Sequence, residues 1–249
     1  MMRQTLKLDS REESDRVTGD RSRAEEARIR AAYARRGGAW RYDWGNPAYV
    51  FAMQDLERHV LAALRRSGLW PLGGKRILDI GCGTGYWLHR LIAWGARPDH
   101  AAGIDLLRDR VCKAARLCPQ RITLSCGSAL ALPFRGASVD LVLQFQLFTS
   151  ILDPDLRRRV ADEMVRVLAP EGAILWYDFN VPNPRNPDVR PVTAPEIRRL
   201  FPTCSVELNR VTLAAPVTRL VAPLSWTLCA LLNLVPPLRT YYLGVIRRR

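Results

Sequence analysis

Between residues 75 and 180, short apolar runs alternate with longer segments in which apolar residues recur every three or four positions. Short apolar runs bounded by turn residues predict buried strands, and the longer periodic segments predict helices. Strands are expected at Arg76–Ile80, Ala101–Ile104, Ile122–Ser125, Leu141–Phe145 and Ala173–Tyr177. Helices are expected at about Tyr86–Trp94, Leu107–Leu117, Pro154–Leu168 and Ala194–Leu200. Asp153 ahead of Pro154 reads as an N-cap with proline at the first helical position, and Thr193 with Glu196 reads as a capping box. The alternation predicts an α/β protein with a Rossmann-like doubly wound sheet, mostly parallel, whose ligands sit beyond the carboxyl ends of the strands. Residues 204–213 and 240–246 read as late strands that form an antiparallel edge.

The flanks read differently. Residues 1–20 are polar and read as a mobile N-terminus, and 21–36 has helical composition with Gly37-Gly38 as its C-cap. The stretch AWRYDWGNPAYVF packs aromatic residues beside Gly, Asn and Pro, and a helix is expected from Tyr49 to Ser67. Residues 21–74 therefore predict a helical and aromatic lid ahead of a ligand-binding domain at 75–249. Leu220–Leu238 carries no charge, but Pro223, Pro236 and Pro237 interrupt it, which disfavours a membrane span of about 20 residues. A helical insertion at 214–238 is expected, with three readings: a buried helix, a homodimer surface or an in-plane membrane contact.

Composition narrows the partners. A chain of 249 residues with 48% hydrophobic content is long enough for one α/β domain with additions at its ends. Its 38 Lys and Arg against 24 Asp and Glu give a net charge of +14, which favours polyanions or anionic lipid surfaces at low salt. Only three of the 38 are lysine, a bias that points to arginine-rich codon usage and disfavours nucleic acid as the partner. Cysteines 82, 112, 118, 126, 204 and 229 form no CxxC pair and no zinc-ligand spacing, so no metal is expected and they read as reduced. The start MMRQTLKLDSREESDR lacks an apolar secretion core. The expected location is cytoplasmic, with membrane association left open by the insertion.

The densest chemical signal is LDIGCGTGYW at 78–87. Dinucleotide turns place glycines at relative positions one, three and six, whereas here the third glycine falls at five and Tyr86 takes the sixth. No Gly-Lys-Ser/Thr follows, which excludes a Walker A loop. What is left is a tight glycine turn after a strand, two places beyond Asp79, and glycine lets backbone approach a ligand without a Cβ in the way.

These residues resemble the first motif of class I S-adenosylmethionine-dependent methyltransferases, an acidic residue followed by Gly-x-Gly-x-Gly. The resemblance implies that Asp79, Gly81, Cys82, Gly83 and Gly85 hold the methionine and ribose part of S-adenosylmethionine, with Asp79 supporting the cofactor's amino end. AGIDLL then puts Asp105 and Leu106 at the ribose, where two carboxylate oxygens match a vicinal diol. CGSALALPF resembles the next motif, with Gly127, Ser128 and Ala129 at the adenine. Ser128 stands where the family commonly has aspartate, which puts that contact in doubt. SVDLVLQFQLFTSI resembles the strand-four motif, with Gln144 on the cofactor and Gln146 on the acceptor. MVRVLAPEGAILWYDF resembles the strand-five motif, with Glu171 where glycine is frequent. The match covers about 75–180 and implies fold and cofactor without naming an acceptor.

The cofactor carries its methyl group on a sulfonium, so the protein's duties are positioning, exclusion of water and, for a hydroxyl acceptor, proton removal. No Asn-Pro-Pro-Tyr or Asp-Pro-Pro-Tyr follows strand four, which lowers the case for adenine or glutamine amino methylation. YDFNVPNPRNPDVRP offers Asp178 as general base and Asn180, Asn183 and Arg185 for a polyhydroxylated or anionic acceptor, with local loop capping as the other reading. Tyr33, Tyr42, Trp44 and Tyr49 suit a lid over the sulfonium, with Tyr42 the expected cofactor contact. His59, His89 and His100 read as packing or solvent-facing. The whole sequence is similar to uncharacterised bacterial methyltransferases of polysaccharide and natural-product pathways. The expectation is an enzyme that methylates oxygen, before nitrogen, on a small or lipid-linked acceptor, first a sugar or glycosylated metabolite. A prenylated quinone or polyketide is the alternative acceptor. RNA methylation, or a non-enzymatic partner protein that binds S-adenosylmethionine, are the other readings.

Overall fold

Apolar side chains alternate between two faces in the central strands of the sheet. Leu78, Val142, Ile174 and Trp176 join one buried cluster, while their neighbours Ile77, Leu141, Leu143 and Leu175 join another. Strands buried on both faces read as continuous apolar runs, which is why the sequence marks them so clearly. The computed structural model describes residues 2–36, 39–184 and 186–249. Its strands are β1 Ile77–Ile80, β2 Ala101–Asp105, β3 Thr123–Cys126, β4 Val139–Phe145, β5 Leu168–Phe179, β6 Cys204–Leu213 and β7 Arg239–Arg248. They form one sheet in the order β3-β2-β1-β4-β5-β7-β6. The pairs through β5 are parallel, and β7 lies antiparallel to both β5 and β6. This is the Rossmann-like sheet with an antiparallel late edge that the alternation predicts.

Helices α1 Met2–Arg35, α2 Pro47–Arg66, α3 Tyr86–Ala93, α4 Arg108–Leu117, α5 Pro154–Val167, α6 Ala194–Leu200, α7 Ala215–Val221 and α8 Trp226–Leu232 complete the chain. The Asn46 side chain caps α2 by accepting from Ala48 N at 3.0 Å, so this helix begins two residues before Tyr49. Asp153 caps α5 as expected, accepting from Asp155 N at 2.8 Å and Leu156 N at 3.2 Å. On α6, Thr193 Oγ1 accepts from Glu196 N at 3.4 Å, but the Glu196 carboxylate turns to Arg157 and Arg190 instead of completing a capping box. Tyr86 and Arg90 of α3 both donate to Glu57 of α2, and Trp87 stacks on Phe145 at 4.4 Å between centroids. These contacts fix α3 and the glycine turn before it.

Two expectations change. The N-terminal helix begins at Met2, not Arg21, and so runs through residues 2–20 as well. No proline interrupts residues 2–35, and Gly19 is the lone glycine there, so nothing in the sequence stops the helix from running back. The expected Gly37-Gly38 cap lies outside the described residues. The insertion at 214–238 is helical, but not as one buried helix. Pro223 follows Ala222 at the end of α7, and α8 starts at Trp226 under a Ser225 cap. Two seven-residue helices bury only narrow stripes, chiefly Ala222 and Cys229 against Ala48 and Phe51 of α2, and leave Leu220, Leu228 and Leu231 exposed. Among the described residues, no helix is long and apolar enough to cross a membrane.

Arg157 locks the loops at the carboxyl end of the sheet. Its guanidinium is fully buried and donates to Ile151 O at 2.6 Å, Glu196 Oε1 at 2.6 Å and Arg190 O at 3.2 Å. Burial pulls its pKa below the usual arginine range, while Glu196 works against that fall. Removing one partner of such a pair leaves buried polar groups unsatisfied. Arg157→Leu is therefore expected to lower the unfolding free energy by about 3 kcal/mol, read from urea transitions. A loss below about 1 kcal/mol, the net worth of an ordinary hydrogen bond, would contradict this role.

Candidate functional site

After β1 the chain turns through Gly81, Gly83 and Gly85, whose φ angles are 75°, 54° and 83°. These left-handed values are costly for residues with a Cβ, which explains the alternating glycines. Gly81 N and Cys82 N donate to Ile104 O at 2.8 and 3.1 Å, while Gly83 N donates to Asp105 Oδ2 at 2.8 Å. The other Asp105 oxygen accepts from Leu107 N at 2.8 Å. One carboxylate thus joins the glycine turn to the start of α4. Gly85 has a second duty, because an added Cβ would sit 2.3 Å from Cys118 Sγ. The third glycine serves the packing of α4 against the turn, and Gly83 faces only the flexible Arg110 end at 3.5 Å.

A cavity of about 390 Å3 opens beyond the carboxyl ends of β1, β2 and β4, within the range of small-molecule sites. Of the residues expected from the sequence, Tyr42, Gly81, Asp105, Leu106, Gly127, Ser128, Ala129 and Gln146 line it. Asp79, Cys82, Gly83 and Gly85 form the structure behind that lining. Ser128 Oγ accepts from Leu130 N at 3.2 Å, so the short side chain serves its own turn. Gln144 is fully buried and its Oε1 accepts from Leu147 N at 3.2 Å, which makes it a support for the turn after β4 and not a wall of the cavity.

The acceptor-side expectations fare differently. Asp178, expected as a general base, does not line the cavity. Its carboxylate is fully buried and Oδ2 accepts from Phe148 N at 3.2 Å. The reason is topological: Asp178 pairs with Tyr242 of β7, and the 3-10 turn Phe148–Ser150 lies over it. Burial pushes its pKa up to about 7, while Thr149, Arg157 and Gln144 draw it down. Asp178 holds the turn that carries Leu147 and Ser150 to the cavity wall. Asn180 and Asn183 also fall outside the lining, and Arg185 lies outside the described residues.

Sequence reading overlooked one face of α1. Ser22, Glu25, Glu26, Ile29, Tyr33 and Arg36 all border the cavity. Their spacing of three or four is the signal that could have found them, since such positions share a helix face. Arg28 donates to Ser150 O at 2.5 Å, Arg30 to Leu106 O at 2.7 Å, and Leu152 N to Glu25 Oε1 at 2.5 Å. The guanidinium groups of Arg36 and Arg110 both lie over the Tyr33 ring, at 3.9 and 4.4 Å from its centroid. With Tyr42 and Tyr49, these side chains roof the cavity.

The charge pattern defines what fits. Asp79 is 2% exposed, and burial together with the nearby Asp105 pushes its pKa up to about 8. Among the described residues, no Lys, Arg or His forms a salt bridge with either carboxylate. A carboxylate has about four lone-pair sites, so Asp105 keeps acceptor capacity beyond its two backbone bonds. A ligand that brings positive charge and vicinal hydroxyls satisfies both groups. S-adenosylmethionine has a cationic amino acid end and a ribose diol, and the residues present fit it.

Comparison with known proteins agrees with this geometry. The family described as Methyltransferase domain matches residues 77–172. The chain is 35% identical over 120 residues to phthiotriol/phenolphthiotriol dimycocerosates methyltransferase 1 of Mycobacterium ulcerans (strain Agy99), across 45% of this chain and 40% of that protein. It is 32% identical over 114 residues to demethylmenaquinone methyltransferase of Clavibacter sepedonicus, across 45% of this chain and 44% of that one. The match thus spans less than half the length of these relatives. Among solved structures, N-methyltransferase NodS from Bradyrhizobium japonicum WM9, in complex with S-adenosyl-l-homocysteine, superposes with a TM-score of 0.62 at 18% identity, covering 89% of this chain and 98% of that one. At that identity the likeness is one of fold.

The raised Asp79 pKa gives a signed test. Below about pH 8 the free protein holds this carboxyl protonated, and a cationic ligand favours the ionised form. S-adenosylmethionine affinity measured by calorimetry is expected to tighten as pH rises from about 6 towards 8, by at most tenfold per unit, and to level off above. The Asp79→Asn protein should lack that slope. A wild-type profile that is flat across this window would remove Asp79 from the cationic end of the ligand.

Proposed function

We propose that the chain, whose residues 77–172 match the Methyltransferase domain family, is a class I S-adenosylmethionine-dependent methyltransferase that methylates an oxygen of a small apolar, lipid-linked acceptor. The observation that carries the acceptor class is the character of the cavity wall on the β4 side. Phe145, Tyr42 and Tyr49 border it with Gln146, Asp178, Asn180 and Asn183 do not, and the polar lining comes from the α1 side as Ser22, Glu25, Glu26 and Arg36. A polyhydroxylated sugar needs several convergent hydrogen-bonding groups, whereas a largely apolar molecule needs aromatic walls and one or two polar contacts to orient it. The relatives named for phenolphthiotriol dimycocerosates and demethylmenaquinone support the same class.

The cofactor supplies an activated methyl group when bound. The chain's own residues do the rest by position. Asp105 and the glycine turn would hold the nucleoside end, with the Asp79 carboxyl behind that turn, and α1 with Tyr33, Tyr42 and Tyr49 would keep water out. With Asp178 withdrawn from the cavity, the transfer depends on alignment and desolvation, and the acceptor's acidity sets how readily its oxygen ionises. A phenolic or enolic oxygen suits that arrangement better than an aliphatic hydroxyl, because its proton is lost closer to neutral pH.

Incubation with methyl-labelled S-adenosylmethionine, a prenylated hydroquinone, a polyketide phenol, a free sugar and RNA tests the reading. Label is expected in the solvent-extractable phenolic products, and label confined to sugar or RNA, or none at all, overturns it. In the same assay Asp178→Asn should retain turnover, since an amide oxygen still accepts from Phe148. A fall of about a hundredfold, as removal of a general base produces, would restore Asp178 as the base.

A further inference from the structure

The insertion before β7 exposes an unusual amount of apolar surface. Leu220 and Leu224 are 74% and 84% exposed, and Trp226, Leu228, Leu231 and Leu234 are each more than 40% exposed. The aromatic turn ahead of α2 adds Trp40 and Trp44, at 62% and 53%. These are one surface and not two, because Trp44, Pro47 and Val50 border the same shallow groove as Pro223, Leu224 and Trp226. Trp226 also meets Phe51 of α2 edge-on at 6.1 Å. A contiguous exposed apolar patch marks a docking surface and not ordinary surface noise.

Charge selects the occupant. Arg219 lies in α7 and Arg239 lies beside the insertion, donating to Asn233 O at 2.5 Å, and from Asn209 to Arg249 there is no Asp or Glu; Asp43 is the one acid in the Trp40–Trp44 turn. A second copy meeting this face about a two-fold axis would bring like charges together. An anionic lipid surface meets Arg219 and Arg239 with opposite charge and accepts leucine and tryptophan at its headgroup boundary. Depth follows from length: a seven-residue helix is about 10 Å long, far short of the roughly 30 Å hydrocarbon core. The helices lie in the interface and do not cross it.

We infer that α7, α8 and the Trp40–Trp44 turn form an in-plane docking surface for an anionic bilayer. Tyr42 and Tyr49, from the turn and the start of α2, line the catalytic cavity, so the docked face leads to the cavity roof. The inference stands on exposure and charge, independently of which molecule is methylated.

Sedimentation of the full chain with vesicles tests it, using phosphatidylcholine alone or mixed with phosphatidylglycerol. Binding is expected on the anionic vesicles, weaker on the neutral ones, and reduced at about 1 M salt, where charges are screened beyond roughly 3 Å. Leu224→Glu with Leu228→Glu should lower partitioning by about tenfold or more, the scale of losing two buried leucines. Both side chains are exposed, so an unchanged thermal transition and unchanged S-adenosylmethionine affinity accompany that loss. No vesicle-dependent sedimentation, equal partitioning on both compositions, or a double variant that binds like the parent overturns the inference. So does a homodimer in light scattering that the double variant dissociates, which would assign the face to a second copy.

Discussion

The site depends on one carboxylate held between two backbone segments. Asp105 ends β2, accepts from Gly83 with one oxygen and from Leu107 with the other, and so fixes the glycine turn relative to the start of α4. Three left-handed glycines are costly to order, and the hydrogen bonds from Gly81 and Cys82 to Ile104 together with this bridge offset that cost. The arrangement leaves Asp79 buried beside Asp105 with no basic partner among the described residues, a charge pattern that a cationic nucleoside completes. Backbone order and ligand chemistry therefore meet at the same side chain.

A second layer supports the first from β4 and β5. Gln144 and Asp178 are both fully buried, and each accepts a backbone hydrogen bond from the turn after β4, at Leu147 and Phe148. That turn supplies Ser150, which α1 grips through Arg28 and Tyr33. The polar residues at the ends of these strands thus act through the turn, and the roof of the cavity is tied to it. Local charge pairs such as Arg21 with Asp153 and Arg35 with Asp188 add contacts along the same helix, each worth little singly because the arginines are half exposed or more.

What the sequence reveals follows from how local each signal is. The strands are legible because burial on both faces leaves continuous apolar runs, and the turn because left-handed backbone demands glycine at fixed spacing. Asp105 is marked by its place at the end of the second strand, where the resemblance puts a ribose carboxylate. Asp178 is not, because its direction is set by the pairing of β5 with β7 and by a turn from β4, neither of which leaves a mark near residue 178. The face of α1 did carry its mark in the spacing of Glu25, Ile29, Tyr33 and Arg36, but a polar helix gives no apolar stripe to show which face is covered. The insertion's composition told of a helix, and only packing shows that Leu220, Leu224, Leu228, Leu231 and Leu234 stay exposed.

The central claim is that the cavity between the glycine turn and α1 is the cofactor site, with Asp105 as its anchor. A crystal structure with S-adenosyl-l-homocysteine bound tests it most directly. The account predicts the ligand in that cavity, its ribose hydroxyls donating to Asp105, its amino end on the Asp79 side and Tyr33 above it. Ligand density elsewhere on the protein, or in the cavity with the ribose turned away from Asp105, would contradict it.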